Sequence, residues 1–183
     1  MPLLIPSERL GGVEMLTAAA TSGIIGPFAQ FKYLTIHVMV AGLSASAIPA
    51  LRFGVGTTAA VDTGTTNYSD WNQPTSTSTT AGTAWGTNVI GSSQSMIRLD
   101  SAAGTAALGC TVEVMNRSST LHTATWWTRP EGSVTTIARL VLGHASYTSA
   151  STGQITCVQL LSTVTTANLS VGSGFVVYGH GAA

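Results

Sequence analysis

Charge is what this sequence has least of. Only 8% of its residues are Asp, Glu, Lys or Arg, and the formal net charge is zero. Ordinary globular chains are about 25% charged, so the surface here must be built from Thr, Ser, Asn, Gln and Gly. The seven cations (Arg9, Lys32, Arg52, Arg98, Arg117, Arg129 and Arg139) are scattered. No basic run can neutralise a nucleic-acid backbone, which argues against a genome-binding arm and against nucleic acid as a partner. No apolar run approaches the ~20 residues of a membrane span, so no membrane partner is expected. The start, "MPLLIPSERLGG", has no basic region leading into a long apolar one. No secretory signal is therefore expected, and the chain is read as made in a cytoplasm.

Cysteine and metal-ligand spacing are equally sparse. Cys110 and Cys157 sit in strand-like runs, "GCTVEV" and "QITCVQL", and no Cys-x-x-Cys occurs. A disulfide is one reading of the pair; two buried free thiols is the favoured one. His37, His122, His144 and His180 lie far apart, without the i, i+2 or i, i+4 spacing of a local metal site. No metal and no cofactor are expected. A Gly-x-Ser-x-Gly elbow, a Walker loop and a dinucleotide fingerprint are all missing. The seven acids offer no pair that the sequence singles out for glycoside hydrolysis.

One motif does suggest chemistry. "VDTGTT" at 61–66 contains Asp-Thr-Gly, the form in which an aspartic protease presents its catalytic carboxylate. Such an enzyme needs two carboxylates sharing a proton, and there is no second copy here. A homodimer using Asp62 is the remote alternative. The residues before Asp62, "GTTAA", are not the apolar strand that would position a catalytic loop. A turn built on Asp62 and Gly64 accounts for the motif, and no catalytic residue is assigned.

What the sequence does have is 44% hydrophobic residues, a mean hydropathy of +0.34, and a period of two. In "FKYLTIHVMV", Leu34, Ile36, Val38 and Val40 share one face, opposite Tyr33, Thr35, His37 and Met39. That outward set is semi-polar rather than charged, as suits a face covered by a neighbour. "ALRFGV" places Leu51, Phe53 and Val55 inward, and "SMIRLD" does the same with Ile97 and Leu99. "CTVEVMN" sets Cys110, Val112 and Val114 against Thr111, Glu113 and Met115. "TLHTATWWT", "TTIARLVLG", "ITCVQLL" and "GFVVYG" are four more apolar, β-branched or aromatic runs. About eight to ten short strands predict an all-β, antiparallel sandwich or barrel. "GGVEMLTAAATSG" lacks an amphipathic stripe and is read as a first strand.

Two segments read as loops. Residues 56–88 carry no cation and few aliphatics, and "TSTSTTAGT" within them is low in complexity, so a long excursion is expected. "TRPEGS" at 128–133 predicts a tight turn. Trp71 and Trp85 fall in the long excursion. Trp126 and Trp127 are adjacent, so one of them must face away from the core. An exposed indole can pin a loop, anchor a protein interface or stack on a sugar ring.

At "LRFGVGTTAAVDTGTTNYSDW" the chain resembles the small jelly-roll structural proteins of tailed bacteriophages, found among head-decoration and tail accessory proteins. The pattern runs through Tyr33 to Val38, then Leu51 to Phe53, then Asn67-Tyr68-Ser69. It closes in "ITCVQLLSTVTTANLSVGSGFVVYG", carried by Ile155, Thr156, Val158, Leu160, Leu169, Gly172, Ser173, Phe175, Val177, Tyr178 and Gly179. The resemblance covers most of residues 13–179; Leu169 in place of the usual Phe and the tail "HGAA" depart from it. It implies a jelly-roll virion component with no catalytic residues, assembling as a symmetric homo-oligomer, commonly a trimer, and with other virion proteins. It also puts Asp62 in a surface loop.

The expected organisation is an N-terminal arm over residues 1–12, kept extended by Pro2 and Pro6, then a single sandwich domain over 13–183. Leu3, Leu4 and Ile5 of the arm, with Trp71, Trp85 and Trp127, are the candidate interface or recognition residues. The rival expectation is a host-recognition module that binds surface glycan through Trp71, Trp85 and the 56–88 loop.

Overall fold

The computed structural model describes residues 7–13, 18–77, 83–85, 89–100, 103–130 and 139–182. Among these there are thirteen strands and no helix. β1 (Ser7–Val13), β2 (Ser22–Ile25), β3 (Phe31–Val40) and β4 (Pro49–Val55) come first. β5 (Tyr68–Thr77), β6 (Thr83–Trp85), β7 (Val89–Gln94) and β8 (Ile97–Arg98) follow. β9 (Leu108–Met115), β10 (Ser119–Pro130), β11 (Arg139–Gly153), β12 (Ile155–Ser162) and β13 (Gly174–Ala182) complete the chain. A nine-stranded sheet runs β1-β13-β3-β9-β10-β11-β5-β6, with β7 also on β5; a four-stranded sheet runs β2-β12-β4-β8. Every pairing is antiparallel.

The alternation read from sequence is what closes the sandwich. Leu34, Ile36, Val38 and Val40 of β3 are buried, as are Cys110, Val112 and Val114 of β9. They pack in one core with Leu51 and Phe53 of β4 and Val158 and Leu160 of β12. Each such side chain removed from water contributes roughly 1.5–3 kcal/mol. The chain crosses from one sheet to the other at β1–β2, β2–β3, β3–β4, β4–β5, β7–β8, β8–β9, β11–β12 and β12–β13, the wrapping of a jelly-roll sandwich. Both cysteines are buried and free, and burial pushes the Cys110 thiol up to about 12. Gly143 faces Trp126 across β10 and β11; the indole lies where a Cβ on residue 143 would sit, so only glycine fits there.

Three expectations need correction. The stretch 56–88 is not one long loop, because β5 occupies its middle and β6 lies near its end. The inward positions of β5 are Tyr68, Asp70 and Asn72, so its core face is polar and apolar alternation could not reveal it. Tyr68 Oη accepts the Phe53 N–H at 2.9 Å and donates to the Phe53 carbonyl at 3.1 Å. Asp70 holds Arg98 of β8 in a bidentate ion pair at 2.7 and 2.9 Å and also accepts the Arg98 backbone N–H at 2.9 Å. Second, residues 7–12 are not a free arm. They belong to β1, which pairs with β13 of the same chain and absorbs a bulge at Gly11, φ 146°. Third, the single first strand expected over 11–23 is replaced by the end of β1 and the start of β2. Leu3, Leu4 and Ile5 lie outside the described residues, as does the turn expected at 131–133; Thr128–Pro130 ends β10.

Candidate interaction surface

Asp62 is held as a turn residue. Its Oδ1 accepts the Gly64 N–H at 2.8 Å, an Asx turn, and its Oδ2 accepts from Asn67 Nδ2 at 2.7 Å and Tyr147 Oη at 3.3 Å. Three neutral donors thus occupy the carboxylate. Below it the Tyr147 ring stacks on Tyr68 at 4.7 Å and on His122 at 5.6 Å, with Phe53 at 5.9 Å. Burial raises the hydroxyl pKa of both tyrosines and lowers that of His122. Neither His122 ring nitrogen has a hydrogen-bond partner; the Ser119 backbone comes near enough only to oppose the shift slightly. Among the described residues, no three His, Cys, Asp or Glu side chains converge to hold a metal ion. Nor is any helix long and apolar enough to cross a membrane.

The outside of the nine-stranded sheet is different in kind. The strand registers line up its outward residues in rows that run across the sheet. One row reads His180, Tyr33, Met115, Thr123, Ser146, Ser69. The next reads Tyr178, Thr35, Glu113, Thr125, His144, Trp71, and a third reads Val176, His37, Thr111, Trp127, Leu142, Gln73. Glu113 is the one formally charged residue in these three rows between β13 and β5, and on the edge strand β1 Arg9 stands opposite Tyr178 of the second row. Met39, Tyr33, Met115, Leu121, Trp127 and Leu142 all stand exposed on this face, Met39 at 65%. Six large apolar side chains exposed on one sheet face mark a surface that meets something other than water.

The face has two halves. On β13, β3 and β9 two polar pairs form, Thr35 Oγ1 with His180 Nε2 at 3.0 Å and His37 Nδ1 with Thr111 Oγ1 at 3.1 Å. The His37 ring also meets Tyr178 edge-on at 5.8 Å. A groove of about 510 Å³ runs here, with Tyr33, Thr35, Glu113, Met115 and His180 along it. On β10, β11 and β5 the aromatic residues are Trp127 and Trp71. Of the adjacent pair, Trp126 is 3% exposed and Trp127 51%, as the strand period requires.

Of the residues singled out in the sequence, the fold brings Trp71 and Trp127 together on one face. Trp85 is paired through β6 with Thr75, at the far edge of the same sheet. Tyr33, Met39 and Met115 were legible as outward-facing, but their grouping with Leu121 and Leu142 depends on strand order, which single-strand alternation does not carry.

No protein-family model matches the chain, and no curated protein matches it. Among solved structures it is similar to the galectin LEC-6 of Caenorhabditis elegans, at 10% identity and a TM-score of 0.36, over 89% of this chain and 95% of that one. It is also similar to the enzymatically active domain of bacteriophage CBA120 tailspike protein 2, at 11% identity and a TM-score of 0.37. That match covers 97% of this chain and 29% of the tailspike. Full-length tailspike protein 2 from an Escherichia coli O157:H7 bacteriophage matches at 11% identity and 0.36, over 91% of this chain and 22% of its own. At these scores the likenesses carry no functional weight.

Proposed function

We propose that this chain is a structural component of a tailed-phage particle, on the head or in the tail, that assembles into a homo-oligomer through the outer face of its large sheet. The observation that carries the reading is the half-face on β13, β3 and β9. It exposes Tyr33, Met39 and Met115, its Thr35 and Thr111 hydroxyls are already paired with the His180 and His37 imidazoles, and one carboxylate is its only formal charge in the three rows. Polar groups that are satisfied within the subunit can be covered without a desolvation penalty for unmade bonds. A nearly uncharged face also meets a copy of itself with little like-charge repulsion. Phage-particle context is supported by the sequence resemblance, and a trimer is the favoured oligomer. The reading assigns no catalytic chemistry to Asp62, whose oxygens serve the turn. The chain would be made in the host cytoplasm and end in the virion.

Sedimentation of the purified chain tests this directly. A defined oligomer is expected at micromolar concentration. The double variant Tyr33→Glu/Met115→Glu, both exposed positions, is expected to sediment as a monomer with an unchanged melting temperature. A native chain that sediments as a clean monomer contradicts the reading.

A further inference from the structure

The other half of the open face has a different chemistry. Trp71 and Trp127 flank β11, which carries His144 opposite Trp71 and Leu142 opposite Trp127. Next to each indole on its own strand stands a neutral polar residue, Gln73 beside Trp71 and Thr125 beside Trp127. The two tryptophans are two strands and one two-residue step apart, roughly 10 Å across the strands and ~7 Å along them. Trp71, Gln73, Thr125, Trp127, Leu142 and His144 include no Asp, Glu, Lys or Arg. In contrast to Thr35, His37, Thr111 and His180, the side chains of Gln73, Thr125 and His144 make no hydrogen bond among the described residues.

We propose that this strip binds a neutral oligosaccharide. Sugar rings present an apolar C–H face that stacks on an indole and a rim of hydroxyls that both donate and accept. The strip supplies both needs, two ring platforms and unspent amide, hydroxyl and imidazole groups between and beside them. Two indoles so far apart fit a short chain of sugars rather than a single ring. With no cation among the six residues, the ligand is uncharged; an acidic sugar would find no partner for its carboxylate. A protein partner suits the strip less well, because covering it with an apolar surface would leave three polar side chains unsatisfied. The groove of the other half-face reaches this strip only at Thr125; Trp71, Gln73, Trp127, Leu142 and His144 lie outside it, so the inference does not depend on the assembly reading.

Titration of the native protein with neutral hexasaccharides of glucose, galactose and N-acetylglucosamine in their common linkages, followed by tryptophan emission and calorimetry, tests it. At least one sugar is expected to give a saturable response. Trp127→Ala, at an exposed position, should weaken that binding by about tenfold or more, and Trp71→Ala by a similar factor. Gln73→Ala should weaken it less, and Tyr33→Glu/Met115→Glu should leave it unchanged. Because Trp71 is half-buried, circular dichroism accompanies its variant, and Trp127→Ala decides if that variant misfolds. No saturable response to any of the sugars overturns the proposal, as does binding that Trp127→Ala leaves intact. Loss of the oligomer in Trp127→Ala, with no sugar bound by the native chain, would identify the strip as a protein contact instead.

Discussion

On the outside of the small sheet, Gly54 and Cys157 lie beneath the chain's own 56–60 segment. Cys157 Sγ donates to the Thr58 carbonyl at 3.2 Å, Thr156 Oγ1 donates to the Gly56 carbonyl at 2.7 Å, and the Ala60 carbonyl fills the space a Cβ on Gly54 would need. Phe28 N–H adds a bond to the Thr156 carbonyl at 3.0 Å, and Arg52 Nε one to the Ser95 carbonyl at 3.0 Å. β12 is consequently buried along almost its whole length. On the outside of the large sheet, the equivalent positions hold Met39, Met115, Trp127 and Leu142, all exposed. The same polypeptide roofs one sheet with its own loop and leaves the other bare. Such a difference within one fold points to an external cover for the bare face, and it separates residues kept for folding from residues kept for contact.

The contrast can be broken at several points. The largest effect is expected where the two sheets are tied together. Asp70→Ala removes the buried partner of Arg98 and should cost about 3 kcal/mol of stability, read from the urea midpoint. A cost below about 1 kcal/mol would show that β5 is not fastened to the small sheet as described. Next, Gly54→Val drives a side chain into the Ala60 carbonyl and should cost about 2 kcal/mol by overpacking; an unchanged midpoint would mean the roof is loose.

A smaller, pH-dependent effect should come from His122. Its folded pKa lies below the ordinary 6.5, so on acidification the unfolded chain takes up the proton first. Stability is then complete above about pH 6.5 and falls as pH drops toward the folded value. His122→Phe should flatten that part of the pH–stability curve, and an unaltered slope would assign it to other groups. The smallest effect is the matched control on the bare face. A Cβ on Gly109, which lies opposite Met39 in register, meets no atom within 4 Å. Gly109→Val should therefore stay within about 0.5 kcal/mol of the native chain. A cost like that of Gly54→Val would mean the two faces do not differ.

Much of this architecture was legible in the sequence because its strands alternate cleanly. Leu34 to Val40, Cys110 to Val114 and the Trp126–Trp127 pair all sit on the faces that a period of two assigns. The Asp62 turn was legible as well, since Asp and Gly two residues apart favour an Asx turn. β5 was not, because its core positions are the polar Tyr68, Asp70 and Asn72, the first held by hydrogen bonds and the second by an ion pair rather than by hydrophobicity. Nor was β1, whose "SERLGGV" holds its place by pairing with β13. The open surface was visible only as an excess of semi-polar outward residues. Its two halves emerge from the strand order, which places β13 beside β3 and β11 beside β5 across long stretches of sequence.

The central claim is that the bare face of the large sheet is covered in the assembled protein. Peroxide oxidation of Met39 and Met115, read residue by residue by mass spectrometry, tests it most directly, because both residues are exposed in the single chain. In the assembled state both methionines should oxidise several-fold more slowly than in a single Tyr33→Glu variant, which keeps Met115 and is expected, like the double variant, to sediment as a monomer. Equal rates in the two states would show that no partner lies over this face.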